Sequence, residues 1–381
     1  MKRIGIAALA VAAMTLLFAC GPAAAKSVKF GVFEPLTGAN AGGGALEVEG
    51  VKLANELYPT VKVGDKEYKI ELVISDNKSD KVEAANAAQR LVDKDKVHMV
   101  LGSWGSSLSM AAGPIVKQAK TPAIGLSCTN PLVTKGNEYY FRVCFLDPFQ
   151  GTVMANYAFK EAKARKAVII REVSNDYSVG LAKFFADAFE LLTGDTEAIL
   201  AELNYNTGDT DFSAALTEIK KFKPDVIFAP GNFTESALIV KQARELGITT
   251  PFLGGDTWET PEFLDVGKAA VNGVVFSTFF ATEVPITETS KVFLDEYRKK
   301  YNKEPAAVTA LGFDGYLVAR AAIEKAGSLD RTKIRDAIAV TKDFPGAAGV
   351  ITLDENGDAV KSAVIKTVKD GQFSYLTTVQ P

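Results

Sequence analysis

The stretch "KIELVISDNKSDKVEAANAAQRLVDKDKVHMVLGSWGSS", residues 69–107, places a helix-like segment between two strand-like ones. The strand-like segments, 69–75 and 97–102, are short, rich in Val and Ile, and bounded by glycine or polar residues, which is typical of buried strands. Between them, residues 81–94 carry apolar side chains at helical spacing. Strand, helix and strand in this order predict a parallel sheet that helices cover on both faces.

The same alternation continues on both sides of this stretch. Before it the sequence predicts a strand at 28–33 and a helix at 46–58, and after it a helix at 109–120 and a strand at 121–127. The order then begins again in the second half of the chain. The strands expected there are 166–172, 196–204, 224–231 and 250–255, and the helices are 178–193, 210–222 and 233–246. We therefore predict the α/β class, with two doubly wound parallel-sheet lobes.

The last hundred residues have a different pattern. Helices are expected near 287–301, 309–326 and 331–341, followed by "GVITLDENGDAVKSAVIKTV", residues 349–368. The "DENGD" segment predicts a turn between two strands. We interpret this part as chain that returns to complete both lobes. Because ligands bind beyond the carboxyl ends of the strands in open α/β sheets, two such lobes would enclose a ligand cleft.

Length and composition limit the possible functions. A length of 381 residues exceeds the usual size of a single domain, which agrees with two lobes. A hydrophobic content of 47% and a charged content of 23% are typical of a soluble globular protein. The formal net charge of −3 offers no basic surface, so we exclude nucleic acid as a partner.

The first 25 residues have the features of an export signal, with cations followed by a long apolar run and then small residues. Two cleavage sites compete. "LFAC" resembles a bacterial lipobox that would make Cys20 the lipidated first residue, whereas "AAAK" suits cleavage after Ala25. An uncleaved anchor is a third alternative, although Gly21 and Pro22 end the apolar run short of a comfortable membrane span. We expect an exported protein, either periplasmic or tethered to the outer face of the membrane by lipid.

Cys128 and Cys144 are the cysteines that remain if Cys20 carries lipid. In an oxidising compartment an even pair is compatible with a disulfide. Two buried free thiols are the alternative, and the sequence leaves both open.

Several kinds of reactive site lack the residues that they need. The only histidine is His98, inside a strand-like segment, so a Ser-His-Asp arrangement is poorly supported. No cluster with metal-ligand spacing occurs, and no phosphate-binding glycine pattern follows a strand. An enzyme that used Ser106 or Asp256 would lack a base. We therefore expect no catalytic activity, no metal and no cofactor.

The "GSWGSS" segment, residues 102–107, has three possible roles by its local chemistry: a serine nucleophile, a phosphate cradle or a carboxylate site. The missing base and the missing glycine spacing weaken the first two. Ser106 and Ser107 lie where a helix should begin, so their hydroxyl and backbone N–H groups can hold a carboxylate. The alternative is that one of them is only the helix N-cap.

Other candidate binding residues also follow predicted strands. Thr129 in "LSCTNP" offers a hydroxyl, and Asp256 in "GGDTWE" could either cap a helix or pair with an ammonium group. Tyr177, Asn232 and Phe233 complete the expected rim of the second lobe. Together these residues suit a small zwitterion.

With these residues in place, the chain resembles the periplasmic solute-binding proteins of the leucine/isoleucine/valine-binding type, which serve ATP-driven importers of branched-chain amino acids. The motifs that carry the resemblance occur in order along nearly the whole exported chain. They are "FGVFEPLTGANAGGG", "VLGSWGSSLS", "SCTNPLVTKGNEYYFRVCFLDPFQG", "NDYSVGLAKFF", "ALIVKQARELGITTPFLGGDTW" and "GFDGYLVARAAIEKAG".

The resemblance implies a fold of two α/β lobes that are joined by three crossing segments and close around a ligand. The first lobe would contain residues 28–146 and 280–354. The second would contain residues 147–279 and 355–381.

The resemblance also implies roles for individual residues. Ser106 and Thr129 would hold the α-carboxylate of an amino acid and share in binding its ammonium group. The backbone carbonyl of Ser127 would accept an ammonium hydrogen, and Asp256 would complete the ammonium site. Tyr177 would close over the ligand.

The chain departs from this family where the ligand side chain would lie. The loop that carries an aromatic lid in leucine binders reads "ANAGGG" here, with Gly43 near the lid position. Asn232 replaces another pocket aromatic, while Trp104 and Trp258 add bulk, and Phe313 of "GFDGY" is a further candidate ligand-binding residue. A branched-chain or aliphatic L-amino acid is the predicted ligand. A polar or larger amino acid, or a small amide, is the alternative.

The predicted function is that of a monomeric receptor that captures an amino acid by closing its lobes and delivers it to the permease of an ABC transporter. Its contact with the membrane would be limited to a lipid anchor. The alternative is a sensory protein that presents its ligand to a chemoreceptor or kinase.

Overall fold

The computed structural model describes residues 27–381, and helices alternate with strands along most of this range as far as residue 278, before three consecutive helices and five consecutive strands. The predicted export signal and Cys20 lie outside the described residues. Within the described residues, no helix combines the length and the apolar character that a membrane crossing requires.

Six strands form the sheet of the first lobe, in the order β2-β3-β1-β4-β5-β6. The strands are β1 (Val28–Glu34), β2 (Thr60–Val63), β3 (Lys66–Asp76), β4 (Met99–Leu101), β5 (Ala123–Gly125) and β6 (Tyr140–Arg142). Neighbouring strands are parallel except for β2 and β3, which pair antiparallel. Their short connection at residues 64–65 makes this pairing possible, because only antiparallel neighbours can be joined by a tight turn.

Helices cover both faces of this sheet. The connecting helices are α1 (Ala41–Leu57), α2 (Lys81–Asp93) and α3 (Ser106–Gln118). Helices from the last hundred residues complete the lobe. They are α9 (Glu288–Tyr301), α10 (Ala307–Ala326) and α11 (Arg331–Ala339). Helix α10 packs so closely on α1 that a Cβ atom at Gly50 or at Gly312 would overlap the backbone of the facing helix.

Seven strands form the sheet of the second lobe, in the order β16-β15-β11-β10-β9-β7-β8. The strands are β7 (Ala167–Glu172), β8 (Ile199–Tyr205), β9 (Val226–Phe228), β10 (Phe252–Gly254), β11 (Val275–Thr278), β15 (Ala363–Lys369) and β16 (Gln372–Val379). The strands from β8 to β11 are parallel, and β15 and β16 extend the sheet with antiparallel pairing. The helices are α4 (Asp147–Lys160), α5 (Asp176–Thr193), α6 (Ser213–Phe222), α7 (Phe233–Glu245) and α8 (Pro261–Gly267).

A small third sheet contains β12 (Phe344–Gly346), β13 (Gly349–Leu353) and β14 (Ala359–Val360). The chain passes between the two large sheets three times, after β6, after β11 and after β14. The expected lobe boundaries at residues 146 and 279 fall in the first two passages. The expected boundary at 354 falls inside the turn between β13 and β14. Because β14 pairs with β13, the chain belongs to the small sheet as far as Val360. The division into lobes at these residues stays a prediction.

The α/β class and the two lobes are confirmed, and each strand and helix expected from the sequence is present within a few residues. The two large sheets are parallel except at their edges. Strands β2, β15 and β16 pair antiparallel with their neighbours, and such pairing is common at the edges of otherwise parallel sheets.

A buried ion pair links β6 of the first sheet to the turn between β13 and β14. The Nε atom of Arg142 lies 2.6 Å from Oδ1 of Asp358. The guanidinium also donates to the carbonyl of Cys128 at 2.6 Å, to the carbonyl of Asn130 at 3.0 Å and to Oγ1 of Thr134 at 2.7 Å. These bonds hold the loop after β5 at one fixed position.

The two cysteines do not form the disulfide that the sequence left open, because both thiols are free and buried. Cys144 packs in the larger hydrophobic core, whereas Cys128 packs in a separate cluster that includes Val100 and Leu108. Burial raises the pKa of Cys128 to about 11 and that of Cys144 as well. The thiols are therefore neutral core residues.

Candidate functional site

A cavity of about 80 Å³ lies between the two large sheets. Its walls come from the residues before α1 and from the segments that follow β3, β4, β5, β7, β8, β9 and β10, so it is built from the carboxyl ends of strands on both lobes. Seven of the predicted site residues line it, namely Trp104, Ser106, Ser107, Ser127, Tyr177, Asn232 and Asp256. The volume is enough for roughly five water molecules, which suits a small polar ligand.

The two lobes touch at the rim of the cavity, chiefly through Asp176 of α5. Its Oδ2 atom accepts from the Ser107 hydroxyl at 2.7 Å and from the Lys81 ammonium at 2.9 Å. Its N–H donates to Oγ of Ser107 at 3.0 Å, and its carbonyl accepts from the Asn130 side chain at 2.8 Å. We call these bonds the Asp176 contact. These bonds show that the two lobes are in a closed conformation. They also occupy the hydroxyl of Ser107, which bonds to Asp176 of the opposite lobe.

The start of α3 forms the wall on the first lobe. The N-cap of this helix is Gly105, at a φ of 94°, so neither Ser106 nor Ser107 is the N-cap and that alternative is wrong. The Oγ atom of Ser106 accepts from the N–H of Asn130 at 3.1 Å, which leaves its own hydrogen free to donate. The first backbone N–H groups of a helix have no partner within the helix and attract anions. This end of the cavity is therefore suited to a carboxylate.

Trp104 forms another part of the wall and fills the space beside Gly43. A Cβ atom at Gly43 would fall inside the van der Waals envelope of the indole ring. The other side of the indole meets Phe233 of the second lobe, with ring centroids 5.8 Å apart at 61°. Phe233 thus supports Trp104 from behind and does not line the cavity.

Asp256 forms the acidic end of the cavity on the second lobe. It begins a short 3₁₀ turn after β10, and its side chain does not cap that turn. Its Oδ1 atom accepts from Nε2 of Gln150 at 2.7 Å and from the Tyr177 hydroxyl at 3.0 Å. Burial raises the pKa of Asp256 to about 6, although these two hydrogen bonds act in the opposite direction. A cation placed beside this carboxylate would offset the cost of its burial.

Besides Phe233, two more of the predicted site residues lie away from the cavity. Thr129 is buried behind the wall, where its carbonyl accepts from the N–H of Asp147 at 3.0 Å. Phe313 is a core residue of α10, with its ring 5.2 Å from that of Phe293 and 6.4 Å from that of Tyr58. The inclusion of Phe313 is corrected, because α10 turns this face toward α1 and α9 and not toward the cleft.

The sequence analysis missed several polar residues at the site. Gln150 lies inside α4, where nothing in the sequence distinguishes it from a solvent-exposed polar residue. Glu34 ends β1, and the search for acids after strands that selected Asp256 could have found it. Glu47 lies on the buried face of α1. Burial raises the pKa of both glutamates.

The arrangement can hold a ligand with opposite charges at its two ends. Among the described residues, Lys81 is the only cation on the cavity wall, and it is paired with Asp176. His98 lies just before β4 and accepts from the N–H of Lys29, at the opposite end of the strand from the cavity. Among residues 27–381 no cluster of His, Cys, Asp and Glu could hold a metal ion.

Two α/β lobes that close over a cavity of this kind define the class of the protein, a two-lobed receptor for a small ligand. The chain belongs to the periplasmic binding protein family, whose model matches residues 27–372. Members of this family are exported substrate-binding proteins of transport systems.

Solved structures and curated relatives agree with this assignment. The crystal structure of a leucine-binding protein, LivK, from Thermotoga maritima is 43% identical, with a TM-score of 0.89, over 93% of this chain and 99% of that one. LivJ from Streptococcus pneumoniae, in complex with isoleucine, is 35% identical, with a TM-score of 0.86, over 93% of this chain and 100% of that one. The Leu/Ile/Val-binding protein BraC3 from Rhizobium johnstonii is 29% identical over 91% of this chain and 93% of its own length.

Proposed function

We propose that this protein captures a branched-chain or other aliphatic L-amino acid between its lobes and delivers it to the permease of an ABC importer. The observation that carries the proposal is a cavity between the lobes with an acid, Asp256, on one lobe and the start of α3 on the other. The similarity to a leucine-binding protein and to a protein bound to isoleucine supports the choice of ligand.

The roles of the site residues follow from their surroundings. The hydroxyl of Ser106 and the first N–H groups of α3 would hold the α-carboxylate. Asp256 and the carbonyl of Ser127 would hold the ammonium group, with Tyr177 orienting Asp256. Trp104, which packs over Gly43, would form the apolar wall for the side chain of the ligand.

Calorimetry on protein that has been unfolded, stripped of ligand and refolded tests the proposal. The panel contains the L-amino acids together with isopentylamine and 4-methylpentanoate, which lack the carboxylate and the ammonium of leucine respectively. We expect leucine, isoleucine or valine to bind, and each analogue to bind about 100-fold more weakly or worse, because it leaves one buried polar group unpaired. No heat with any amino acid, or equal binding of an analogue, would contradict the proposal.

The proposal includes binding without chemical change to the ligand. Mass spectrometry of small molecules released from freshly purified protein should show intact amino acid. Release of a modified product after incubation with leucine would instead indicate an enzyme.

We propose in addition that the mature protein is a monomer that begins at a lipidated Cys20. The "LFAC" segment supports this choice over cleavage after Ala25. The mass of the protein recovered from membranes distinguishes the two, because only cleavage before Cys20 adds a diacylglycerol. A mature N-terminus at Lys26 would contradict it, and light scattering checks the monomer.

A further inference from the structure

Two glutamates meet behind the wall of the cavity in the first lobe. Glu34 ends β1, Glu47 lies in α1, and both are fully buried, with 0% of each residue exposed. Their carboxyl groups are close enough to hydrogen-bond to each other. We call them the glutamate pair.

The glutamate pair has fewer hydrogen-bond donors than its oxygens require. Oε2 of Glu34 accepts from the N–H of Trp104 at 2.6 Å, and the Ser103 hydroxyl lies 3.4 Å from the same oxygen. Within residues 27–381 no donor pairs with Oε1 of Glu34, and the Ser127 hydroxyl beside Glu47 forms no hydrogen bond of normal geometry with either of its carboxyl oxygens. Buried polar atoms are rarely left without a partner. A proton held between the two carboxyl groups would provide the missing donor.

The charges around the glutamate pair favour the same arrangement. Two adjacent buried carboxylates cannot both ionise without a neutralising cation. Burial and mutual repulsion raise the pKa of Glu34, and burial raises that of Glu47. In the part of the chain that the structure describes, none of the titratable groups that face the pair is a cation. They are Asp256, Cys128, Cys144 and Tyr140.

The glutamate pair contacts the cavity wall at two points. Glu34 holds the backbone of Trp104, and Glu47 faces the side chain of Ser127. Trp104 and Ser127 both line the cavity, and the charge of Asp256 acts on Glu47. The pair therefore lies one layer behind the place proposed for the ligand's ammonium group.

We propose that Glu34 and Glu47 are positioning residues that share a single proton behind the cavity wall, and that the ammonium group of a bound amino acid displaces this proton to the solvent. This release of a proton rests on the proposed function, the binding of an amino acid in the cavity. A cation next to the pair favours its doubly ionised form, so the carboxyl O–H bond breaks and the proton passes to the buffer.

Calorimetry with L-leucine in phosphate and in Tris buffer, at about pH 7.5, measures the released proton through the difference in buffer ionisation enthalpy. We expect the parent protein to release roughly 0.3–1 proton per ligand. Glu47→Gln preserves the size of the side chain and should release less than about 0.1 proton while its affinity stays within about tenfold of the parent. The control is Glu56→Gln at the exposed end of α1, which should release as many protons as the parent.

Infrared spectroscopy of the ligand-free protein tests the shared proton without any ligand. The carbonyl band of protonated carboxyl groups should contain, at about pH 7.5, a component that is lost in Glu47→Gln but not in Glu56→Gln. Burial also raises the pKa of Asp147, so any component from that residue should remain in all three proteins. Absence of a component that depends on Glu47 overturns the shared proton. Leucine binding with equal heats in both buffers overturns the release and leaves the proposed function standing. Failure of every amino acid to bind removes the proposed function and the release together, while the band still decides whether the proton is shared.

Discussion

At the scale of single residues, Asp256 shows how a side chain is prepared for a charged ligand. Its carboxylate is buried, and two neutral donors, Gln150 and Tyr177, share one of its oxygens. Neutral donors orient a carboxylate but do not neutralise it, so the pKa stays raised at about 6. An ammonium group would supply the missing charge.

Asp256→Ala should therefore weaken amino-acid binding by about 2–5 kcal/mol, because the ligand's ammonium would be buried without its partner. Isothermal calorimetry measures the loss. Asp265→Ala is the matched control, since Asp265 lies nearby on α8 with an exposed side chain. Binding by the Asp256 variant as tight as that of the parent would show that the ammonium assignment is wrong.

Gly43→Ala tests the wall of the cavity, because the new methyl group would overlap the indole of Trp104. Overpacking of this kind should lower the free energy of unfolding by about 1–3 kcal/mol and shift Trp104, which should also reduce affinity. Urea unfolding and calorimetry measure the two effects. Gly113→Ala in α3 is the control, since its Cβ would meet only Nδ2 of Asn137 at 3.5 Å. Equal stability and affinity in the two variants would contradict the packing argument.

At the scale of elements, the start of α5 joins the lobes. Asp176 lies in the first turn of α5, where an acid is favoured by the helix dipole, and Asn175 caps the same turn by accepting from the N–H of Tyr177. The partners of Asp176 come from α2, α3 and the loop after β5. The Asp176 contact exists only when the lobes are closed, so it should stabilise the ligand-bound form and not the open form.

Asp176→Asn should weaken amino-acid binding by about 3- to 30-fold, chiefly through faster dissociation, because the closed form loses an ion pair that is only partly exposed. Stopped-flow fluorescence measures the dissociation rate, and small-angle X-ray scattering reports the fraction of closed protein. Asp187→Asn, which removes an exposed pair with Lys183 on the same helix, should leave both values unchanged. An unchanged dissociation rate in Asp176→Asn would show that these bonds do not stabilise the closed form.

At the scale of the whole molecule, buried acids make stability depend on pH. Burial raises the pKa of Glu47 to about 8 and that of Asp314 to about 6. A carboxyl group whose pKa is higher in the folded state binds more protons folded than unfolded, so stability falls as pH rises toward the folded pKa. His98 has a lowered pKa and opposes this trend only at acidic pH.

The ligand-free protein should therefore lose about 1–2 kcal/mol of stability between about pH 7 and pH 8.5, as the glutamate pair gives up its proton. Urea unfolding across this range measures the change. Glu47→Gln should show a nearly flat profile, whereas Glu56→Gln should follow the parent. A parent protein that is equally stable at both pH values would argue against a shared proton.

The sequence located part of the site because of a simple geometric rule. Ser106, Tyr177 and Asp256 each follow a predicted strand, and the carboxyl ends of parallel strands meet at one edge of a sheet. Gln150 and Glu47 lie within helices, where a buried and an exposed polar residue have the same local pattern. Phe313 was placed wrongly because an aromatic residue in a helix shows no sign of which neighbour it will face.

The sequence by itself determined the alternation of strands and helices, the two lobes and the strand-end residues, because hydrophobic periodicity and turn residues act over short distances along the chain. Only the tertiary structure decided which acids are buried together, which serine bonds to the opposite lobe and which cysteines stay apart. Those outcomes depend on side chains that are remote in sequence, such as Gln150 and Asp256 or Ser107 and Asp176. Burial and charge act through space, so no local pattern could have revealed them.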